Sequence, residues 1–271
     1  MKSNTFRAAL IQMDSGCDWE TNKRMAVELV KEAAAQGADY VQFPETADYI
    51  GDDFTSFAGR HVGEAERFFQ ELAQEYEVYL NCGSITEYQP QEKPRNTTLF
   101  FDPDGTLLGR YSKLHLFDVD VEEGPSYRES DEIQAGKEIC VIPTDLATFG
   151  LSICYDMRFP ELYRRMASLD AGILCVSANF TKPTGAHHWK PLLQARAIEN
   201  TCYVLAAGQC GMKPKFQAYG HTMVVDPWGE VLVELDEKPG IAIVDIDLDR
   251  IEEVRGQLPC LKNVRHDIFR I

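Results

Sequence analysis

Three side chains in this sequence could together do covalent chemistry on a carbonyl carbon, and each stands where a strand gives out. Cys154 follows the apolar run Leu151-Ser152-Ile153 and precedes Tyr155-Asp156-Met157-Arg158-Phe159-Pro160-Glu161. Pro160 suits the first turn of a helix. A thiol at such a strand-to-helix elbow points into the crevice above the strand ends, and the nearby helix N-terminus favours its thiolate. Glu45, in Phe43-Pro44-Glu45-Thr46, is delivered by an earlier strand in the same way. A partly buried carboxyl there rises toward the range in which it accepts a thiol proton. Lys113, within Tyr111-Ser112-Lys113-Leu114-His115-Leu116-Phe117, ends a hairpin among apolar neighbours, where its ammonium can hold an oxyanion. Taken singly, each has a plainer reading. They are a buried strand-end cysteine, a solvated loop glutamate or helix cap, and an edge-strand lysine that discourages aggregation.

The elements that must position these groups alternate along the chain. Phe6–Met13, Tyr40–Phe43 and Val78–Gly83 read as strands, with helices over Trp19–Gln36 and Ala65–Tyr76 and a terminating Gly37. Asn96–Phe101 and Leu107–Tyr111 flank the turn Asp102-Pro103-Asp104-Gly105, which makes a hairpin and therefore a mixed sheet. Asp118–Lys137 is acidic and aperiodic and reads as a long loop. Beyond it come strand Thr148–Ile153, helix Glu161–Leu169, strand Gly172–Val176, helix Trp189–Asn200 and strand Tyr203–Gly208. A second hairpin follows, His221–Val225 with Val231–Glu234, then strand Ile241–Ile246 and helix Leu248–Arg255. This alternation predicts an α/β domain, with two mixed sheets face to face and helices outside.

Composition narrows the function classes. The 271 residues carry 27 basic and 43 acidic side chains, a net charge of −16, with no basic cluster. Nucleic acid and anionic membrane are therefore poor partners. The start lacks an apolar secretory segment and no run is long enough to span a bilayer. Eight cysteines are scattered without a Cys-x-x-Cys pair, as in a reduced cytoplasmic protein, and they suit neither a zinc site nor a disulfide scaffold.

Together the three motifs resemble the nitrilase superfamily, the carbon–nitrogen hydrolases. They are Phe43-Pro44-Glu45, Lys113-Leu114-His115 and the stretch Cys154 to Glu161. The resemblance runs from about Phe6 into the tail and implies one carbon–nitrogen hydrolase domain over 1–271, an αββα sandwich forming αββα–αββα dimers. It implies Cys154 as nucleophile, Glu45 as base, and Lys113 with the backbone N–H of Tyr155 as oxyanion partners. Glu129, in Tyr127-Arg128-Glu129-Ser130, is implied to position Lys113 and the substrate. The implied reaction is acyl transfer through a thioester, without metal or organic cofactor. A homodimer or higher homo-oligomer is implied as well, joined near the helix after Cys154. The tail residues Leu261, Val264, Ile268 and Phe269 would reach toward the partner.

Further stretches are similar to the Nit branch, the ω-amidases and deaminated-glutathione amidases. They are Lys113 to Val121, Gln194 to Asn200, and Tyr219 to Gly229. The implied substrate is a small ω-amido dicarboxylate such as α-ketoglutaramate or deaminated glutathione. Arg158, four residues past the nucleophile, would bring a fork of donors to its distal carboxylate, with a structural ion pair as the alternative. His115 and Thr181 are candidates for the pocket wall. Lys182 and Pro183 depart from simple expectation in the loop that the resemblance sets by the pocket. The adjacent His187 and His188 point apart on a helix and do not suggest a metal site. A nitrilase, an N-carbamoyl amidase and a non-catalytic binding protein on this fold remain as alternatives.

Overall fold

The computed structural model describes residues 4–120, 126–265, 267 and 268. In chain order the elements are β1 (Thr5–Gln12), α1 (Trp19–Ala35), β2 (Tyr40–Gln42), α2 (Phe54–Arg60), α3 (Glu64–Tyr76), β3 (Tyr79–Asn81), β4 (Ile85–Glu87), β5 (Arg95–Phe101) and β6 (Leu107–Ser112). Then come β7 (Asp118–Asp120), β8 (Ser126–Arg128), β9 (Val141–Pro143), β10 (Thr148–Ile153), α4 (Pro160–Ser168), β11 (Ile173–Ala178), α5 (Lys182–Asn200) and β12 (Tyr203–Gly208). The last are β13 (Met223–Val225), β14 (Val231–Glu234), β15 (Gly240–Asp247) and α6 (Asp249–Gln257).

The strands build two large mixed sheets. One has the order β15-β1-β2-β3-β5-β4 with β6 paired to β5, and the other the order β14-β13-β12-β11-β10-β9. Side-chain alternation explains how both faces of the first sheet are buried. Ala8 and Leu10 of β1 and Tyr40 of β2 face the second sheet, whereas Ala9, Ile11 and Val41 face α1 and α3. Phe100, Tyr40 and Phe149 form an aromatic seam between the sheets, the Tyr40 and Phe149 rings 4.8 Å apart and stacked. Each such burial stabilises by roughly 1.5–3 kcal/mol. Leu162, Tyr163 and Met166 of α4 and Trp189 and Leu193 of α5 cover the other side of the second sheet. The layering is αββα.

Strand direction places the chemistry. β1, β2 and β3 are parallel to one another, as are β10, β11 and β12. β6 runs antiparallel to β5, itself antiparallel to β3, so β6 shares the direction of β2. Glu45, Lys113 and Cys154 thus follow the C-terminal ends of β2, β6 and β10.

Two expectations need correction. The segment Asp118–Lys137 is not without structure: β7 and β8 pair, and a 3₁₀ turn at Glu129–Asp131 follows, while 121–125 lie outside the described residues. The helix expected from Trp189 begins seven residues earlier, at Lys182, with Pro183 in its first turn. In the tail, Leu261 packs partly on the core of its own chain, Leu258 and Ile268 are exposed, and Phe269 lies outside the described residues.

Gly83 fixes the path of the glutamate. It holds a left-handed φ of +75°, and a Cβ there would lie 1.9 Å from the carbonyl oxygen of Pro44. Gly83→Ala should therefore destabilise by roughly 2–4 kcal/mol and displace Glu45. A urea midpoint equal to that of the parent chain would refute this.

Candidate active site

The elbow after β10 is strained and tightly held. Cys154 adopts φ +46° and opens a short 3₁₀ turn, Cys154–Arg158, before Pro160 starts α4. A non-glycine residue in this region costs of order 1–3 kcal/mol unless its surroundings impose it. Asp156, fully buried, supplies the restraint. Its Oδ2 accepts from the Ile153 amide at 2.9 Å and the Tyr111 hydroxyl at 2.6 Å. Its Oδ1 takes the His115 amide at 3.0 Å and pairs with His115 Nδ1 at 2.7 Å. One carboxylate therefore ties the segment bearing Lys113 to the turn bearing Cys154.

Above the strand ends lies a closed charge cluster. Lys113 Nζ donates to Glu45 Oε1 at 2.8 Å and to Glu129 Oε1 and Oε2 at 3.1 and 2.9 Å. Glu45 also accepts from Asn96 Nδ2 at 2.8 Å and, on Oε2, from the Asn179 amide at 2.7 Å. Glu129 accepts from the Phe117 amide at 2.6 Å. Glu45, Lys113, Glu129 and Cys154 are 5%, 2%, 6% and 7% exposed, so water screens none of these charges well.

Burial and neighbours set the proton affinities. The Cys154 thiol is pushed well above its ordinary value by burial and then by the Glu45 charge, with Lys113 opposing. This corrects the expectation that the elbow favours a thiolate. A 3₁₀ turn of five residues supplies little field, and the nearest anion outweighs it. Burial pushes the Lys113 ammonium down, but Glu129, Glu45 and Cys154 outweigh it and hold it well above the lysine range. Burial raises Glu129, against the pull of Lys113. Cys154 rests as a thiol beside the Lys113 ammonium. Such a set can pass a proton from sulfur to carboxylate while a cation waits beside the reacting carbon.

The cluster opens into a cavity of about 410 Å³. Tyr155 and Thr181 line it. His115 and Arg158 are not among its lining residues. His115 is held by Asp156 and stacks on Phe159 at 3.6 Å. The Arg158 guanidinium lies 5.7 and 5.2 Å from the ring centres of Tyr155 and Phe180, which do line the cavity, and it meets His188 Nδ1 at 3.2 Å. Sequence reasoning missed Asn96, Asn179, Thr184, Lys213 and Lys215 in the wall. An asparagine inside a strand is disfavoured, so Asn96 in β5 was the one with a readable signal.

Comparison with known proteins accords with this geometry. The carbon-nitrogen hydrolase family matches residues 7–256. The chain is 41% identical to a deaminated glutathione amidase of Synechocystis, over 97% of this chain and 98% of that one. It is 39% identical to an omega-amidase of Mus musculus, over 99% and 98% of the two chains. The crystal structure of the NitFhit protein of C. elegans superposes with a TM-score of 0.93 at 36% identity, covering 99% of this chain and 67% of that one. With an αββα sandwich and full-length likeness to amidases, this chain belongs to the carbon-nitrogen hydrolase family and is a hydrolase of carbon–nitrogen bonds.

Proposed function

We propose that this enzyme hydrolyses the amide of a small ω-amido dicarboxylate, such as α-ketoglutaramate or deaminated glutathione, with Cys154 as nucleophile. The observation that carries the reading is the buried cluster at the end of the cavity, in which Lys113 bonds both Glu45 and Glu129 and which Cys154 lines with them. Glu45 takes the Sγ proton as sulfur attacks the amide carbon. The charge appearing on oxygen is met by Lys113 and the Tyr155 amide. The C–N bond breaks as nitrogen recovers the proton from Glu45, leaving a thioester. Glu45 then deprotonates a water, whose attack frees the acid and returns the proton to sulfur. Glu129 keeps Lys113 charged and in place. Asn96 and the Asn179 amide orient Glu45.

The relatives named as omega-amidase and deaminated glutathione amidase support an acidic substrate. Arg158 is the candidate for attracting its distal carboxylate, as a charge set behind the wall. The buried Arg158 Nε has no hydrogen-bond partner among the described residues, and its charge stands directly behind two rings of the wall. Thr181, with its neighbour Thr184, offers hydroxyls at the same wall. His115 acts through Asp156 and has no substrate contact in this scheme.

We further propose a single hydrolase domain over 1–271, a cytoplasmic setting and a homodimer. All eight cysteines are free and no described helix is long and apolar enough to cross a membrane. Exposed Leu258 and Ile268 would otherwise stay in water.

Cys154→Ala should abolish turnover and leave the circular dichroism spectrum unchanged. The high proton affinity of Cys154 and its burial also predict the order of labelling. A bulky maleimide should react first at exposed Cys17 and Cys260 without loss of activity. A small haloacetamide, itself a primary amide, should inactivate by alkylating Cys154. Inactivation with Cys154 unmodified in the peptide map would overturn the assignment. Arg158→Ala should lower kcat/KM for an anionic ω-amide by about 3- to 30-fold, the order of a partly buried charge acting without direct contact, and much less for a neutral amide of equal length. Equal losses would make Arg158 structural. Sedimentation at micromolar concentration should give a dimer, and a clean monomer would end that proposal.

A further inference from the structure

Apart from Asp52, the charges in the cavity wall fall into two sets. The set at the closed end is internally paired, as described. The other is carried by a small hairpin, residues 212–217, whose rungs are the bridge Met212 to Gln217 and the Lys213 amide to Phe216 carbonyl bond of 2.7 Å. Its base is pinned to the start of α5 by a second bridge, Thr181 to Ala218, and by the Lys182 amide donating to the Gln217 carbonyl at 2.8 Å. Lys213 anchors it further. Its Nζ, buried, donates to Asp14 Oδ1 at 2.8 Å and to the Ser15 carbonyl at 2.9 Å. Burial holds this ammonium below the ordinary lysine range, against the pull of Asp14. The charge of Lys213 is thus already answered.

Lys215, at the tip, is different. Its Nζ lies 4.9 Å from the ring centre of Tyr127, on β8 across the mouth, and both residues line the cavity. Its acidic neighbour is Glu132, whose Oε1 lies 3.7 Å away as a loose ion pair beyond hydrogen-bond length, while the Tyr127 hydroxyl bonds the other oxygen, Oε2, at 3.3 Å. Among the described residues no hydrogen bond uses the Lys215 ammonium. Elsewhere on this acidic surface Lys23, Lys182 and Lys190 are closed by carboxylates at 2.6, 2.7 and 3.0 Å. Lys215 is a cation held in place by a pinned hairpin and left with donors to give. The same cavity wall carries the apolar side chains of Ile50, Phe54, Phe117, Ile133 and Phe216. A cavity of about 410 Å³ lies in the range that takes drug-sized ligands and is more than a five-carbon amide fills.

We infer that Lys215 is a specificity-determining residue that takes a second carboxylate, borne on the amine side of the scissile amide. The favoured substrate is then a secondary ω-amide whose nitrogen carries an amino acid or short peptide ending in a carboxylate. This rests on the function proposed above and selects within it. The chemistry is unchanged: the C–N bond breaks, and the leaving nitrogen takes its proton from Glu45 and departs as an amine. Tyr127 forms the flat floor against which the Lys215 stem is held, so the ammonium is offered rather than searched for.

The test compares kcat/KM of the full chain, Lys215→Met and Lys215→Arg on three substrates. They are α-ketoglutaramate, deaminated glutathione, and deaminated glutathione esterified at its far carboxyl. Lys215→Met should lower kcat/KM for deaminated glutathione by about 5- to 30-fold, through KM, and several-fold less for the other two, because a half-exposed ion pair is worth modestly more than a surface one. Lys215→Arg should restore most of the loss, and added salt should shrink the difference. Equal effects on all three substrates, or none on deaminated glutathione, overturn the inference. A parent enzyme active on α-ketoglutaramate alone overturns it too but leaves the proposed function standing. A parent enzyme active on neither amide takes down both.

Discussion

The Lys113 ammonium buried between Glu45 and Glu129 is the contact on which the remaining architecture depends. Taking three charges out of water costs several kcal/mol each, and their attraction offsets that only when the geometry is close and the leftover donors and acceptors are met. Here they are met. The lysine contacts both carboxylates within 3.1 Å, and Asn96, the Asn179 amide and the Phe117 amide answer remaining carboxylate lone pairs. Loss of any one member would strand a buried charge, so the cluster tolerates little displacement of the backbones that carry it.

Those backbones come from four places, and the αββα layering is what makes them meet. Glu45 follows β2 of one sheet and Cys154 follows β10 of the other, so the spacing of the two packed sheets governs how close nucleophile and carboxylate come. The aromatic seam of Tyr40, Phe100 and Phe149 sets that spacing with rigid rings that cannot be compressed. Asp156 supplies the cross-link at the rim, since it bonds Tyr111 and His115 from one sheet and Ile153 from the other. The left-handed backbone of Cys154 is held by the same carboxylate. Seam and staple act on different lengths: the seam fixes the sheets, the staple fixes the last residues of their strands.

Much of this was legible in the sequence, for reasons that also mark where legibility ended. Strands delivering Glu45, Lys113 and Cys154 were readable because apolar runs ending at Pro44, Ser112 and the Phe159-Pro160 elbow are local signals. The sandwich followed from alternation plus hairpins. The three-residue strands β4 and β9 and the seven-residue α2 were not readable, because so few residues carry no periodicity. The first two turns of α5 were hidden by Pro183 and Gly185, which read as loop although proline is accepted in a first turn. Arg158 failed as a direct wall residue because nearness in sequence is not nearness in direction. In a 3₁₀ turn of three residues per turn, position four past Cys154 emerges roughly 120° around from it. Lys215 could not be seen at all: its meaning depends on Tyr127, some ninety positions earlier, and on a hairpin pinned by long-range backbone bonds.

The electrostatics of the cluster also say why the resting site keeps its thiol. With sulfur protonated, the Lys113 ammonium answers the oxygens of Glu45 and Glu129 in a poorly hydrated space. Release of the thiol proton to water would leave a further negative charge there, and the high proton affinity of Cys154 expresses that cost. Transfer to Glu45 is different in kind. The proton stays inside the cluster, the total charge is unchanged, and the negative charge moves from oxygen to sulfur without leaving the reach of Lys113. When sulfur attacks, the charge moves again to the amide oxygen, where the same ammonium can follow it. A fixed cation flanked by two carboxylates thus lets a buried thiol act as a nucleophile only while a carbon is present to receive the electrons, which protects Cys154 from the oxidants and electrophiles that seek free thiolates.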